Sequence, residues 1–408
     1  MLSVYTRGDF PGLGSFQSYL NTAVVGLVPR TVRDKGLRSL LEFINNPLGK
    51  SQESLEIYNR IRTVFSALIG LGDKNNIVVT NGTTDCIVSI TASLITKHYK
   101  EHREPVTVGI TKQEFPGVAY ALRSLCDSLN IFCNKVIEIG EAIEWEEDAA
   151  SFLDKRSRLL VASSIQWTTG YKADLGSLLN NRRDDSYIIL DTAQHFGQSP
   201  VPIYMRHADA ACGTSIKWLL MPVASLGIAY INDRIVETVT PLVYGLSNLE
   251  INNIERYYID PNKNPLADGL SLKQDATRFL PVGKPSIHAM ELFLESLNYL
   301  LSISPMAVED HIMGLRKILV EILEDMNLRE HLEGYSYRSK SGIILVETGL
   351  KTTKEVELVR RLMSRGIAVS ARGQSGIHGV RVSIHLYNNE RDLYKFVEEL
   401  KTFLKSYL

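Results

Sequence analysis

The chain has no excess of charge of either sign. Its 45 lysines and arginines face 46 aspartates and glutamates, a formal net charge of -1. That argues against a nucleic-acid or membrane-surface role, since both draw on a basic patch. No apolar run approaches membrane-spanning length, and Met1 to Gly14 carries no basic-then-apolar leader pattern. A cytoplasmic protein is therefore expected. Cysteine is scarce: Cys86, Cys126, Cys133 and Cys212 are scattered among apolar neighbours, with no Cys-x-x-Cys pair. Buried thiols are the expectation, and metal or redox centres are not. The sequence also lacks a Gly-x-Gly-x-x-Gly fingerprint, a P-loop, an internal repeat and any low-complexity stretch. What remains is the composition of an ordinary globular enzyme, 408 residues with 44% hydrophobic and 22% charged. Such a length suggests roughly two to three domains.

Between residues 76 and 230, short apolar runs alternate with helical patterns. Asn76 to Thr80, Pro105 to Ile110, Leu159 to Ile165, Tyr187 to Leu190 and Ser225 to Tyr230 read as strands. Alternation of this kind predicts a mostly parallel sheet with helices on both faces. Ligands of such sheets lie outside the carboxyl ends of the strands. Thr83, Phe115, Gln166, Asp191 and Lys217 all fall at or just past those ends.

Lys217 stands out among them. It follows Ala211-Cys212-Gly213-Thr214-Ser215-Ile216 and precedes the apolar run Trp218 to Met221. A poorly solvated amine has a lowered pKa and becomes a nucleophile able to form a Schiff base. A lysine at a strand end can also simply snorkel its head into water. Asp191, ending the preceding strand, favours the first reading. An acid one strand away from a desolvated lysine is what pyridoxal phosphate needs, the acid pairing with the pyridinium nitrogen and the lysine holding the aldehyde carbon.

Upstream, Asn81-Gly82-Thr83-Thr84 joins a strand to an amphipathic helix. A helix start with free amides suits a phosphate, although threonines there also serve as plain caps. Phe115 could stack on a flat ring or belong to the core. Arg381, in the strand Gly379 to His385, suits a substrate carboxylate; an edge-strand arginine paired with a surface acid is the alternative. His98 and His102 have helical metal spacing, but the charged run Lys97 to Arg103 reads as a solvated helix end complementing the dipole.

With these pieces placed, the chain resembles the class V aminotransferases, pyridoxal-phosphate enzymes of fold type I whose relatives include cysteine desulfurases and isopenicillin N epimerase-like proteins. The likeness runs from Tyr19-Leu20-Asn21-Thr22-Ala23 through Asn81-Gly82-Thr83-Thr84-Asp85 and Asp191-Thr192-Ala193-Gln194 to Gly213-Thr214-Ser215-Ile216-Lys217-Trp218. It continues in Ala276-Thr277-Arg278-Phe279 and Arg381-Val382-Ser383-Ile384-His385-Leu386-Tyr387-Asn388. It implies a large domain with a seven-stranded, mostly parallel sheet and a small C-terminal α/β domain. The expected divisions are 1–50, an N-terminal segment, 51–285, the cofactor domain, and 286–408, the small domain. By the same resemblance Lys217 binds pyridoxal 5'-phosphate, Asp191 pairs with its ring nitrogen and Gln194 bonds its phenolic oxygen. Thr83 and Thr84 hold the phosphate with Ser215 adding a hydroxyl, Phe115 stacks on the ring, and Arg381 and Asn21 bind the amino-acid substrate. A homodimer is implied, with the Tyr244 to Lys284 region contributing across the interface.

The sequence departs from that pattern in places. No cysteine follows Cys212, so the persulfide-forming cysteine of desulfurases is missing. Ile216 stands where a histidine often precedes the lysine, Trp167 near a common asparagine, and Lys284 where a phosphate-binding threonine is common. The expected activity is an aminotransferase acting at the α-carbon. A C–S lyase or an epimerase on the same scaffold is the alternative, and a non-catalytic binding or scaffold protein the second.

Overall fold

The computed structural model describes residues 6–406 except 142, 252–257, 265–268, 270, 284 and 331–339. Lys284, and with it the expected phosphate contact there, lies outside the described residues.

Seven strands make the large sheet: β2 (Ile77–Thr80), β3 (Val106–Thr111), β4 (Cys133–Ile139), β5 (Arg158–Ser163), β6 (Tyr187–Asp191), β7 (Ala210–Thr214) and β8 (Gly227–Ile231), after a short β1 (Ser18–Tyr19). Their order is β2-β8-β7-β6-β5-β3-β4. Only β8 runs against the rest, pairing antiparallel with β7 on one side and β2 on the other. Strands such as β6 are buried on both faces, so they read as continuous apolar runs. The parallel arrangement puts Thr80, Thr111, Ser163, Asp191 and Thr214 on one edge of the sheet.

A second sheet, antiparallel, has the order β12-β13-β10-β9, with β9 at Arg329–Glu330, β10 at Ile343–Glu347, β12 at Ser370–Gln374 and β13 at Ile377–Ser383. Between β10 and β12 a two-residue strand, β11 (Ile367–Ala368), pairs parallel with β1. Helix Pro305–Asp325 packs on both hydrophobic cores. Val308 and Ile312 join the large core, as does the whole buried face of helix Ile287–Ile303. Leu315, Leu319 and Leu323 join the small core with Val346, Val380 and Phe396. The helix Ile287–Ile303 packs on helices Arg30–Asn45 and Ser54–Ile69, which the sequence could not show because those partners lie some 240 positions away. Among the described residues no helix is long and apolar enough to cross a membrane.

The N-terminal segment stitches the two sheets together. Leu20 N–H donates to Ala368 O, Ser383 N–H donates to Leu20 O, and Ala23 N–H donates to Ser383 Oγ. Gly26 then runs against the turn carrying Lys217, its N–H donating to Ile216 O at 2.8 Å. A Cβ on residue 26 would collide with the Lys217 carbonyl. Backbone cannot yield as a flexible side chain does, so overpacking there costs about 1–3 kcal/mol. Gly26→Ala should therefore unfold at lower temperature, and its Lys217 should lose reactivity toward an added aldehyde. A calorimetric scan and reductive labelling of Lys217 check this.

Candidate active site

Lys217 sits just past the end of β7, in a turn held from several directions. Trp218 Nε1 donates to Gln194 Oε1 at 2.6 Å, His385 Nε2 bonds Trp218 O at 3.0 Å, and Ser296 Oγ donates to Leu219 O at 2.6 Å. Burial pushes the His385 imidazole down to about 4, so it is neutral at pH 7, with Nε2–H as the donor and Nδ1 accepting from Leu386 N–H. The lysine side chain is half-buried. Its amine lies 5.6 Å from the centre of the Phe115 ring. Desolvation lowers its pKa to about 8; Asp191 opposes that, while the positive charges of Arg381 and Arg372 add to it.

Asp191, at the end of β6, is buried, and its Oδ1 accepts from Ala193 N–H at 2.8 Å. Burial raises its pKa, against the pull of that amide and of Lys217. Phe115 caps helix Pro116–Ser128 and is partly exposed, meeting Trp167 edge-on with ring centres 5.6 Å apart. Thr83 and Thr84 open helix Thr83–His102, and Thr83 Oγ1 is buried with no protein partner.

Arg381 lies in β13, between β12 and β10, so the edge-strand alternative fails. It is buried, donates Nη1–H to Trp167 O at 2.6 Å and leaves Nε unpartnered. Burial, then the charge of Arg372, disfavours its charged form. An intrinsic pKa above 12 keeps a guanidinium charged in proteins, so it is poised for an anion. Asn21 bridges to Ser383, two residues from Arg381, with its buried Oδ1 unpartnered.

Two expected residues are already engaged. The Ser215 hydroxyl donates to Ala224 O and accepts from Leu226 N–H, closing the loop between β7 and β8. That corrects its expected phosphate role, since its one proton is used. Gln194 gives its oxygen to Trp218 and one N–H to Ala23 O at 3.1 Å, which leaves one N–H for a ligand. His98 is buried and bonded to Ser157 Oγ at 2.9 Å rather than solvated. No cluster of three metal-ligating side chains occurs among the described residues. Cys126 and Cys133 are joined in a disulfide, against the expectation of four free thiols.

Sequence reasoning missed Glu114 and Arg372. Glu114 is buried and accepts from Ser163 N–H at 2.8 Å, Ser163 Oγ at 2.5 Å and Phe115 N–H at 2.9 Å. Ser163 is the register partner of Asp191, so the two carboxyls flank one pair of strands. Desolvation, then the charge of Asp191, raises Glu114 to about 7. Arg372 faces the same side of the small sheet as Arg381, because its neighbour Ser370 is paired with Arg381.

The residues present fit pyridoxal phosphate. Buried atoms without partners stand at the helix start (Thr83 Oγ1), beside the carboxylate end (Arg381 Nε) and at Asn21 Oδ1. Unpaired buried polar groups cost free energy unless a ligand satisfies them.

Comparison with known proteins agrees. A family model described as aminotransferase class-V matches residues 19–396. A Borreliella burgdorferi protein named "Probable cysteine desulfurase" is 22% identical, covering 98% of this chain and 96% of its own. Among solved structures, the cystine C-S lyase C-DES in complex with cysteine persulfide superposes with a TM-score of 0.78 at 16% identity, over 96% of this chain and 98% of its own. Apo cysteine desulfurase from Thermococcus onnurineus NA1 gives 0.75 at 19% identity, over 99% and 96%.

Glu114 supplies a stability test. Folding raises its pKa from 4.5 to about 7, so the folded state holds a proton that the unfolded chain releases. Stability therefore falls as pH rises through that window. Glu114→Gln should gain on the wild type between pH 5 and pH 8 by on the order of 2 kcal/mol. Denaturant midpoints that differ equally at both pH values would contradict it.

Proposed function

The chain belongs to the class-V aminotransferase family of pyridoxal-phosphate-dependent enzymes, and from that premise we propose that it removes the α-proton of an amino acid and moves its amino group to a 2-oxo acid. The observation that carries the reading is Lys217, an amine lowered to about 8 by burial yet facing Asp191. Lys217 and Asp191 would hold the cofactor by aldehyde and ring nitrogen, Thr83 and Thr84 with the helix amides by phosphate, Phe115 by its face, and Gln194 by its remaining N–H. When bound, the cofactor withdraws electrons from the substrate's α-carbon.

The protein's own groups do the rest. Arg381 binds the substrate carboxylate through the donors not spent on Trp167, and Asn21, beside it, takes the substrate's polar end. The charge it meets offsets the burial that disfavours the guanidinium. Asp191, raised by burial but drawn down by the Ala193 amide and Lys217, would in its ionised form hold a proton on the group it faces, because a contact between opposite charges favours the charged form. Lys217, with a pKa of about 8, is about one-tenth unprotonated at pH 7, far more than an exposed lysine, and in that form takes the α-proton and can return it elsewhere. A poised base is most effective near its working pH.

β-Elimination is the second reading, favoured by the likeness to the cystine C-S lyase. The missing cysteine beyond Cys212 disfavours persulfide transfer. We further propose a homodimer, because Val243, Tyr244 and Val282 expose apolar surface in the region expected to meet a partner.

Borohydride should fix the cofactor to the peptide carrying Lys217, and Lys217→Ala should lose that label with about 10²–10⁴-fold of the turnover. Arg381→Lys should raise KM about tenfold or more while leaving kcat nearer the wild type, since the bidentate fork is lost. Amino transfer to an added 2-oxo acid supports the proposal. Ammonia and a 2-oxo acid formed with no acceptor present mark elimination instead, and a protein that takes up no cofactor overturns both.

A further inference from the structure

Cys86 and Cys212 are 126 positions apart in the chain, yet their sulfurs lie 2.6 Å from one another. Both are fully buried and both are free thiols in the structure. Their places in the fold give the contact meaning. Cys86 is in the first turn of helix Thr83–His102, three residues after Thr83. Cys212 is in β7, register partner of Asp191 and five residues before Lys217. The sulfurs thus join the two halves of the site, the helix start that suits a phosphate and the strand that delivers the lysine.

Access to the two is unequal. Cys86 lines a cavity of about 320 Å³ together with Thr80, Asn81, Asp85, Ser89 and Val282, and Cys212 does not. Cys86 can therefore meet a small reagent while Cys212 waits behind it. We propose that Cys86 and Cys212 form a reversible disulfide that staples the cofactor cradle, made by exchange with a small-molecule disulfide.

The Cys86 thiolate attacks one sulfur of the reagent, forming a mixed disulfide and releasing one thiol. Burial beside Cys86 keeps the Cys212 thiol protonated, so it attacks Cys86 Sγ as its proton passes to the departing sulfur, forming the Cys86–Cys212 bond and releasing the second thiol. The protein pair loses two electrons and the reagent disulfide gains them. Little rearrangement is needed, because the sulfurs already touch. The staple closes a long loop, which constrains the unfolded chain more than a short one does.

The proposal does not depend on which reaction the site performs. Its test uses the full chain carrying Cys126→Ser and Cys133→Ser, so that the other disulfide is removed. The protein is incubated with oxidised glutathione, alkylated in denaturant and mapped without reduction. The expected result is one linked peptide pair containing Cys86 and Cys212, reversed by dithiothreitol. The melting temperature should then fall by about 5 °C on reduction, and Cys212→Ala should abolish that difference. Recovery of both cysteines as alkylated thiols overturns the proposal, as does glutathione held on Cys86 with no transfer to Cys212. If Cys212→Ala fails to fold, the peptide map of the parent protein still decides.

Discussion

The carbonyl groups of Ile216, Trp218 and Leu219 are each taken by a donor from a different part of the chain: Gly26, His385 and Ser296. Everything chemical depends on this grip. A half-buried lysine left to itself would swing its amine into water, and its pKa would return toward 10.5. The backbone below Lys217 cannot follow, because three segments fix it and Trp218 is anchored to Gln194. His385, neutral because burial pushes its pKa down to about 4, holds Trp218 O without adding a further cation near the Lys217 amine.

Charge around that amine is balanced rather than simply negative. Asp191 and Glu114 lie buried on the sheet side, while Arg381 and Arg372 stand on the small-domain side. Two carboxyls in a dry site cannot both ionise cheaply, and burial raises both. Glu114 rises to about 7 although four donors (Thr111 Oγ1, Ser163 N–H, Ser163 Oγ and Phe115 N–H) feed its oxygens, because those donors do not outweigh burial plus the charge of Asp191. Asp191 remains the acid nearer the lysine. Each group is set by its environment more than by its residue type.

The alternation of β2 to β8 with helices was legible in the sequence because buried parallel strands read as apolar runs. Lys217 and Asp191 were legible for the same reason, since strand ends are where such runs stop. Glu114 was not, because its significance comes from Ser163 and Asp191, which pairing across β3, β5 and β6 brings near it. Ser215 shows the opposite failure: its position was right, but a loop carbonyl had already taken its proton. The Cys86–Cys212 contact was out of reach, since spacing along the chain carries no trace of a helix crossing a strand. His98 misled because Ser157 and Tyr187, which cover it, lie far off in sequence.

The hairpin of β12 and β13 connects these arguments. Its tip reaches the large domain, with Gln113 Nε2 donating to Gln374 O at 2.7 Å and Gln374 Nε2 donating to Glu114 O at 3.2 Å. Gln113 O in turn accepts from Trp167 Nε1, and Trp167 O accepts from Arg381. Arg381 is thus positioned by the same backbone stretch that carries Glu114 and Phe115. A shift of the small sheet would break the hairpin contacts and the Arg381–Trp167 bond together, because they share one segment of large-domain backbone. The places of Arg381 and Phe115 are therefore set by a single alignment of the small sheet against the large one.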